Sequence, residues 1–155
     1  MSIDYRNDCA LPVDGADLVS LAAFVMDSML LDPQAELSIT CVEPADIAVL
    51  HEEYLDEPGP TDVMSFPMDE LRPGTADERT AGVLGDVVLC PSVAASQAAA
   101  AGHGTDHELR ILLTHGILHL LGYDHAEPDE EREMFALQKA LLERWRSHRR
   151  GGGQA

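Results

Sequence analysis

Apolar and polar residues alternate along the first half of the chain in patterns that predict helices and strands. Apolar side chains recur every three or four positions over residues 14–33 and again over residues 44–55, which is the spacing of amphipathic helices. Residues 36–42 alternate apolar and polar side chains, as a half-buried strand does. Residues 2–8 are predicted to form an opening strand, and residues 61–67 have a β-like composition.

The middle of the chain predicts a further strand and a helix, preceded by a polar loop. Residues 83–89 form the strand, in which Gly85 indicates a bulge or the close approach of another group. The preceding residues 68–81 are polar and rich in turn formers, and are predicted to be a mobile loop. The alanine-rich residues 91–101 should form a helix that stops at Gly102.

Two more helices are predicted from the residues at their ends. Thr105 and Glu108 have the spacing of a capping box, so a helix should begin at Thr105, and Gly122 is placed to end it. Pro128, followed by acidic residues, opens the last helix. The glycine-rich residues 151–155 are expected to be a disordered tail, which leaves residues 1–150 as a single domain.

The chain is strongly acidic, with 28 Asp and Glu residues against 10 Lys and Arg residues and a formal net charge of -18. This charge disfavours a broad electrostatic grip on nucleic acid, because phosphates bind through Lys and Arg. Four arginines near the C-terminus either contact phosphates or complement the negative end of the last helix: Arg144, Arg146, Arg149 and Arg150.

The cysteines and the apolar segments predict where the protein works. Cys9, Cys41 and Cys90 are scattered and never spaced as CxxC, which fits buried thiols in a reducing compartment. The N-terminus does not have the pattern of a secretory signal, and the apolar residues 16–31 are interrupted by polar ones. A cytoplasmic location without membrane contact is therefore expected.

Residues 115–125, HGILHLLGYDH, carry most of the functional information. Residues four apart on a helix share one face, so His115 and His119 can point two imidazoles at one metal ion. Gly122 lies where the helix should end, which allows the chain to return His125 as a third ligand. Three neutral imidazoles leave one tetrahedral position open, as in catalytic zinc sites, although nickel or cobalt would also accept these ligands.

The spacing of these histidines equals that of the extended zinc-protease motif HExxHxxGxxH, with one difference. Gly116 stands where such proteases carry the glutamate that acts as general base, so the site keeps the metal without that base. Asp86 and Asp124 are candidates for a catalytic base or for a residue that orients a ligand imidazole, and Asp62 is expected to be structural.

These residues resemble the YbeY endoribonucleases, the bacterial rRNA maturation factors. The histidine block resembles the signature of that family, and residues 60–67 (PTDVMSFP) and 84–87 (LGDV) are similar to two further blocks in the same order. The similarity spans roughly residues 50–145. One departure is Leu55, where many members carry an arginine thought to help hold RNA, and His51 stands in place of a family asparagine.

The resemblance implies a single-strand-specific zinc endoribonuclease whose ligands are His115, His119 and His125. It would act in 16S rRNA 3′-end maturation and late ribosome quality control, with single-stranded rRNA, the small ribosomal subunit, a ribosomal protein and the GTPase Era as partners. The implied fold is an α+β domain, with a small mixed sheet packed by helices and the metal-binding helix placed as in zinc proteases. RNA contact is then expected near the metal and at Arg110 or the C-terminal arginines.

Two other functions remain open from the residues alone. The acidic charge and Leu55 are compatible with a ribosome-assembly factor in which the zinc is mainly structural. The histidine spacing is also compatible with a metallopeptidase that uses another carboxylate as base, although Gly116 argues against it.

Overall fold

Helices and strands alternate in the first part of the computed structural model, and three successive helices end it. The structure describes residues 1–57, 59 and 61–153, with side chains up to Arg149. In chain order, the described elements are β1 (Ser2–Asn7), α1 (Gly15–Ser28), β2 (Glu36–Cys41), α2 (Pro44–Leu55), β3 (Val63–Pro67), β4 (Val83–Leu89), α3 (Pro91–Ala101), α4 (Thr105–Leu120) and α5 (Pro128–Gly153). The predicted α+β class is confirmed.

The four described strands form one mixed sheet in the order β1-β2-β4-β3. β1, β2 and β4 run parallel, and β3 is an antiparallel edge strand. Gly85 confirms the expected close approach: a Cβ there would lie 2.2 Å from the carbonyl oxygen of Phe66. The register between β2 and β4 shifts beside Gly85. Glu36 pairs with Val83, whereas the next residue, Leu37, pairs with Gly85.

The two faces of the sheet carry different layers. Val87 of β4 belongs to the main core, which α1, α4 and α5 complete with residues such as Leu21, Ile117 and Trp145. Val88, the next residue, joins a smaller cluster with Ile47 of α2. α4 therefore lies on one face of the sheet and α2 on the other, as the alternation of side chains along a strand requires.

The ends of the helices agree with the predictions in most places. α2 and α3 have the predicted bounds, and Gly102 follows α3 in the left-handed conformation. The capping box at Thr105 is wrong: Gly104 is the N-cap without a side-chain cap, and the Glu108 carboxylate accepts from His103 Nε2 at 2.6 Å. α5 continues to Gly153, three residues into the predicted tail, and residues 154–155 lie outside the described residues.

Residues 68–81 contain neither helix nor strand, as expected, but both ends are attached to the body of the protein. Leu71 is buried, and Gly74 N–H donates to the carbonyl of Met29 at 3.1 Å. Arg79 bridges to Asp27 at 2.8 Å and donates to the carbonyl of Leu31. The segment expected to be a mobile loop is thus tied along the end of α1.

One buried carboxylate ties α1 to α4 and α5. Asp17 accepts from Arg110 Nε at 2.8 Å and also pairs with Arg149, while its own side chain is 4% exposed. Both guanidinium groups lie over the ring of the buried Trp145, at 5.2 and 5.1 Å from its centroid. Arg110 and Arg149, two of the cations considered for RNA contact, are therefore engaged within the fold.

None of the described helices is both long enough and apolar enough to cross a bilayer.

Candidate metal centre

α4 places two histidines one turn apart on one face, as their spacing predicts. The rings of His115 and His119 meet edge to face with centroids 4.6 Å apart, and their Nε2 atoms lie 3.0 Å from each other. Both side chains are half-buried. Two imidazole nitrogens therefore converge on one point beside the helix.

The turn after α4 brings in the third histidine. Gly122 adopts φ +96°, and the amides of Gly122 and Tyr123 donate back to the carbonyls of His119 and Leu118. This is the hydrogen-bond pattern of a Schellman motif, which ends a helix and reverses the chain. A side chain at Gly122 would also collide with the Arg72 guanidinium, whose Cζ would be 2.7 Å from the added Cβ.

His125 completes the cluster from the far side of this turn. One ligand atom from each of His115, His119 and His125 lies within 4.8 Å of the other two. The Asp124 carboxylate accepts the His125 backbone N–H at 2.7 Å, which fixes the chain where the third ring departs. His125 is exposed, so the cluster opens to solvent on one side.

α5 supplies an orienting partner that the sequence did not reveal. Gln138 is 8% exposed, and its Oε1 accepts from His115 Nδ1 at 2.9 Å. Because Nδ1 of His115 carries the hydrogen of this bond, its Nε2 keeps a lone pair that is available to a metal ion. Phe135, one turn earlier, stacks on the same ring with centroids 5.8 Å apart.

The donor set fits a borderline metal ion such as zinc. Burial lowers the pKa of His115 below its ordinary 6.5, and burial followed by the neighbouring His115 lowers the pKa of His119. Both rings are therefore neutral at neutral pH, the state in which imidazole binds metal. The protein thus has a histidine triad that could hold one metal ion.

Gly116 cannot act as a catalytic base, and its lack of a side chain is also needed for α4 to pack on the sheet. A Cβ there would lie 3.0 Å from Val87 Cγ1 and 3.1 Å from Ser65 Oγ, because α4 lies directly on β3 and β4 at this residue. Ser65 Oγ also donates to the Gly116 carbonyl at 3.0 Å. The position after the first histidine faces the sheet, where even an added Cβ would be closer to its neighbours than an ordinary van der Waals contact.

A cavity of about 560 Å³ opens in front of the three histidines. Its other wall is β3, and the end of α2 contributes Tyr54 and Leu55. A second cavity of about 340 Å³ continues from it behind His115 and His125, towards Phe135 and Gln138. The site is therefore an open cleft between α4 and the edge of the sheet.

The three candidate carboxylates have different positions. Asp62 lines both cavities with His115 and His125, although its Oδ1 also accepts the N–H of Val63 at 2.7 Å. Asp124 is exposed on the turn beside His125. Asp86 does not reach the histidines: it pairs with Phe66 across the strands and lines a separate cavity on the α2 face of the sheet.

The remaining histidines near the site have local partners. His51 pairs with the Gly59 carbonyl and with Glu57, each at 3.0 Å. His103 pairs with Glu108, and His107 lies 2.7 Å from Arg146. These three side chains take no part in the metal cluster.

Comparison with known proteins decides the family. The family model described as Endoribonuclease YbeY matches residues 10–146, which include all three histidines and Gln138. The chain belongs to the YbeY family. The resemblance found in the sequence is thereby confirmed over most of the chain.

Curated YbeY relatives match nearly the whole chain. "Endoribonuclease YbeY" of Acidothermus cellulolyticus is 57% identical and covers 99% of this chain and 97% of its own. The protein of that name from Beutenbergia cavernae is 61% identical (92% and 95% covered), and the one from Mycobacterium tuberculosis is 59% identical (94% and 84% covered).

One solved structure resembles the fold. The solution structure of TM1509 from Thermotoga maritima superposes with a TM-score of 0.63 at 24% identity, covering 97% of this chain and 93% of that one. At this identity the likeness concerns the fold alone.

Proposed function

We propose that this protein is a metal-dependent endoribonuclease that cuts single-stranded RNA, and that zinc is the ion held by His115, His119 and His125. The observation that carries the proposal is the triad at the floor of an open cavity of about 560 Å³. Membership of a family named for endoribonuclease activity supports the substrate class.

The protein side chains have separable tasks in this proposal. His115, His119 and His125 would hold the zinc ion, which would supply Lewis acidity and lower the pKa of a water molecule to about 7. Gln138 orients the His115 ring through Nδ1, and Asp124 holds the backbone of His125. From the sequence Asp62 is expected to be structural, but it lines both cavities with His115 and His125, so we assign it the positioning of the attacking hydroxyl group. Asp86 has no role in the cleft.

The biological role that we propose is the one that the family resemblance implies. The protein acts on single-stranded rRNA of the small ribosomal subunit, in 16S 3′-end maturation and late quality control, in the cytoplasm. A ribosomal protein and the GTPase Era are its proposed partners. The high identity to curated YbeY proteins over nearly the full chain supports this assignment.

Two structural observations weigh against the alternatives. A metallopeptidase needs a base next to the metal, and Gly116 packs against Val87 and Ser65 where that glutamate would stand. A purely structural zinc is normally closed by four protein ligands, whereas this triad has three and an exposed third histidine.

The test combines metal analysis with RNA cleavage by the purified protein. We expect one equivalent of zinc and cleavage of a labelled single-stranded rRNA fragment, and we expect His119→Ala to lose both. His148→Ala is the matched control, because that ring is exposed and packs on Phe24 away from the cluster.

Three outcomes would contradict the proposal. Equal cleavage by the wild type and His119→Ala would assign the activity to a contaminant. Chelator-sensitive cleavage of unstructured peptides would favour the metallopeptidase. Co-sedimentation with small subunits without cleavage, and unchanged in His119→Ala, would favour the assembly factor.

A further inference from the structure

The described side chains that line the cleft in front of the histidines include no cationic group that could bind a nucleic acid. Among the described residues that line the two histidine cavities, no Lys or Arg is present, and Asp62 contributes a carboxyl group. Leu55 is apolar and exposed at the rim. Proteins hold RNA largely through contacts of Lys and Arg with its phosphates. A protein with net charge -18 therefore needs cationic side chains at another point along the bound RNA.

A third cavity extends the cleft and does carry cations. It measures about 270 Å³, lies between α4 and α5, and is lined by His107, Ile111, Gln138, Lys139, Leu142, Glu143 and Arg146. It shares Ile111 and Gln138 with the cavity behind His115. This cavity therefore adjoins the one behind His115 at Ile111 and Gln138, and Lys139 and Arg146 line its far side.

The charges of these two cations are not used within the fold. Five other arginines bridge to carboxylates: Arg6, Arg79, Arg110, Arg132 and Arg149. In the described part of the chain, neither Lys139 nor Arg146 has a carboxylate oxygen within 4.0 Å, although Glu143 lines the same cavity. They lie seven residues apart on α5, which places them on one face.

Arg146 is held by a neutral partner. Its Nη2 donates to His107 Nδ1 at 2.7 Å. Burial, and then Arg146 itself, lowers the pKa of His107, so the imidazole accepts this bond as a neutral group. The guanidinium is thereby positioned without losing its net charge, and its remaining N–H groups suit a phosphate oxygen.

We propose that the cavity lined by His107, Lys139 and Arg146 is a phosphate subsite, which binds a backbone phosphate of single-stranded RNA a few nucleotides away from the bond that is cut. This inference rests on the proposed endoribonuclease function. His107 and His115 lie eight residues apart on α4, about 12 Å, which three to four stacked nucleotides span at about 3.4 Å each.

The test compares two double variants that lose the same charge. K139Q/R146Q removes both cations from the cavity, and R6Q/R132Q removes two exposed cations outside it. Binding of labelled single-stranded RNAs of increasing length is measured by fluorescence anisotropy over a range of salt concentrations, together with kcat and KM for their cleavage.

We expect K139Q/R146Q to bind the longer RNAs at least about tenfold more weakly, with KM rising and the loss growing with length. A plot of log affinity against log salt has a negative slope, and its magnitude should decrease by about 0.7 for each phosphate that the variant no longer binds. An equal effect in R6Q/R132Q, or a loss independent of RNA length, would overturn the subsite.

A variant that is expected to bind RNA more tightly distinguishes loss of the subsite from loss of folding. Glu143→Gln removes the carboxylate from the cavity and should tighten binding of the longer RNAs, whereas Glu130→Gln, exposed in the first turn of α5, should not. Weaker or unchanged binding in Glu143→Gln counts against the subsite. Binding without cleavage by the wild type would refute the proposed function, and the binding slopes would still decide the subsite.

Discussion

His115 donates Nδ1–H to Oε1 of Gln138 across 2.9 Å, and this bond joins the motif helix α4 to α5. A buried amide that fixes the tautomer of a ligand imidazole raises metal affinity, and loss of such a partner typically costs ten- to a hundredfold. The metal site therefore depends on a residue thirteen positions beyond its last histidine.

Replacing Gln138 should weaken metal binding without removing any ligand. Gln138→Met leaves the Nδ1–H of His115 buried without an acceptor, so zinc affinity should fall about ten- to a hundredfold. Gln138→Glu keeps an acceptor and should restore most of it. Competition against a chromophoric chelator measures both, with the exposed Gln97→Met as control. An unchanged affinity in Gln138→Met would refute the orienting role.

Gly116→Ala should destabilise the protein although alanine favours helices. The helical preference contributes about 1 kcal/mol, whereas overpacking against Val87 costs about 1–3 kcal/mol. We expect a net loss of about 1 kcal/mol in urea unfolding of the metal-free protein. Val87→Ala opens the contact, so in that background Gly116→Ala should become stabilising. A loss that persists there would exclude Val87 as the cause.

Asp17→Asn should lower the free energy of unfolding more than most substitutions far from the cleft. It leaves Arg110, 23% exposed, without its buried partner, while Arg149 at 54% exposed keeps access to water. We expect a loss of about 2 kcal/mol, below that of a fully buried pair because of this exposure. Asp27→Asn breaks the exposed bridge to Arg79 and should cost less than about 1 kcal/mol. Equal costs in urea unfolding would contradict this ranking.

His107 should make the fold sensitive to mild acid. Its pKa is lowered from 6.5, chiefly by burial and by Arg146, while Glu108 acts in the opposite direction. Below pH 6.5 the unfolded chain takes up a proton that the folded chain resists, so stability falls as the pH drops through this range. Well above pH 6.5 His107 is neutral in both the folded and the unfolded chain, so its titration no longer changes the free energy of unfolding.

The measurement is the free energy of unfolding between neutral and mildly acidic pH. His107→Gln keeps an acceptor for Arg146 and should show a shallower decline than the wild type, whereas His148→Gln should follow the wild type. Parallel curves for the wild type and His107→Gln would show that His107 does not couple folding to pH.

Much of the fold was predictable because local signals and tertiary packing agree. The periodicity over residues 44–55 and 91–101 matches α2 and α3, since proline begins each helix and a left-handed residue ends it. Thr105 was misassigned as N-cap because Gly104 can take the same extended conformation without a side-chain bond. A capping box is recognised by spacing alone, and the spacing did not exclude this shift.

The clustering of the three histidines could be predicted from sequence because a single helix and its turn supply all of them. Asp86 could not be placed, because the face of β4 that meets α4 depends on strand order and on the bulge beside Gly85. Gln138 was missed for a related reason. It occupies an apolar position of α5 between Met134 and Leu141, and only the packing of α5 on α4 shows what it faces.

Because β3 is an edge strand of the sheet, its backbone can contact a polyanion bound in the cleft. A border strand presents a row of peptide groups that its single neighbour does not pair, and β3 forms the wall opposite the histidines. A substrate there meets peptide dipoles, whose attraction is short-ranged and does not release counterions. Ionic strength should therefore act mainly on the contacts that Lys139 and Arg146 make, and less on the contacts with the peptide groups of β3.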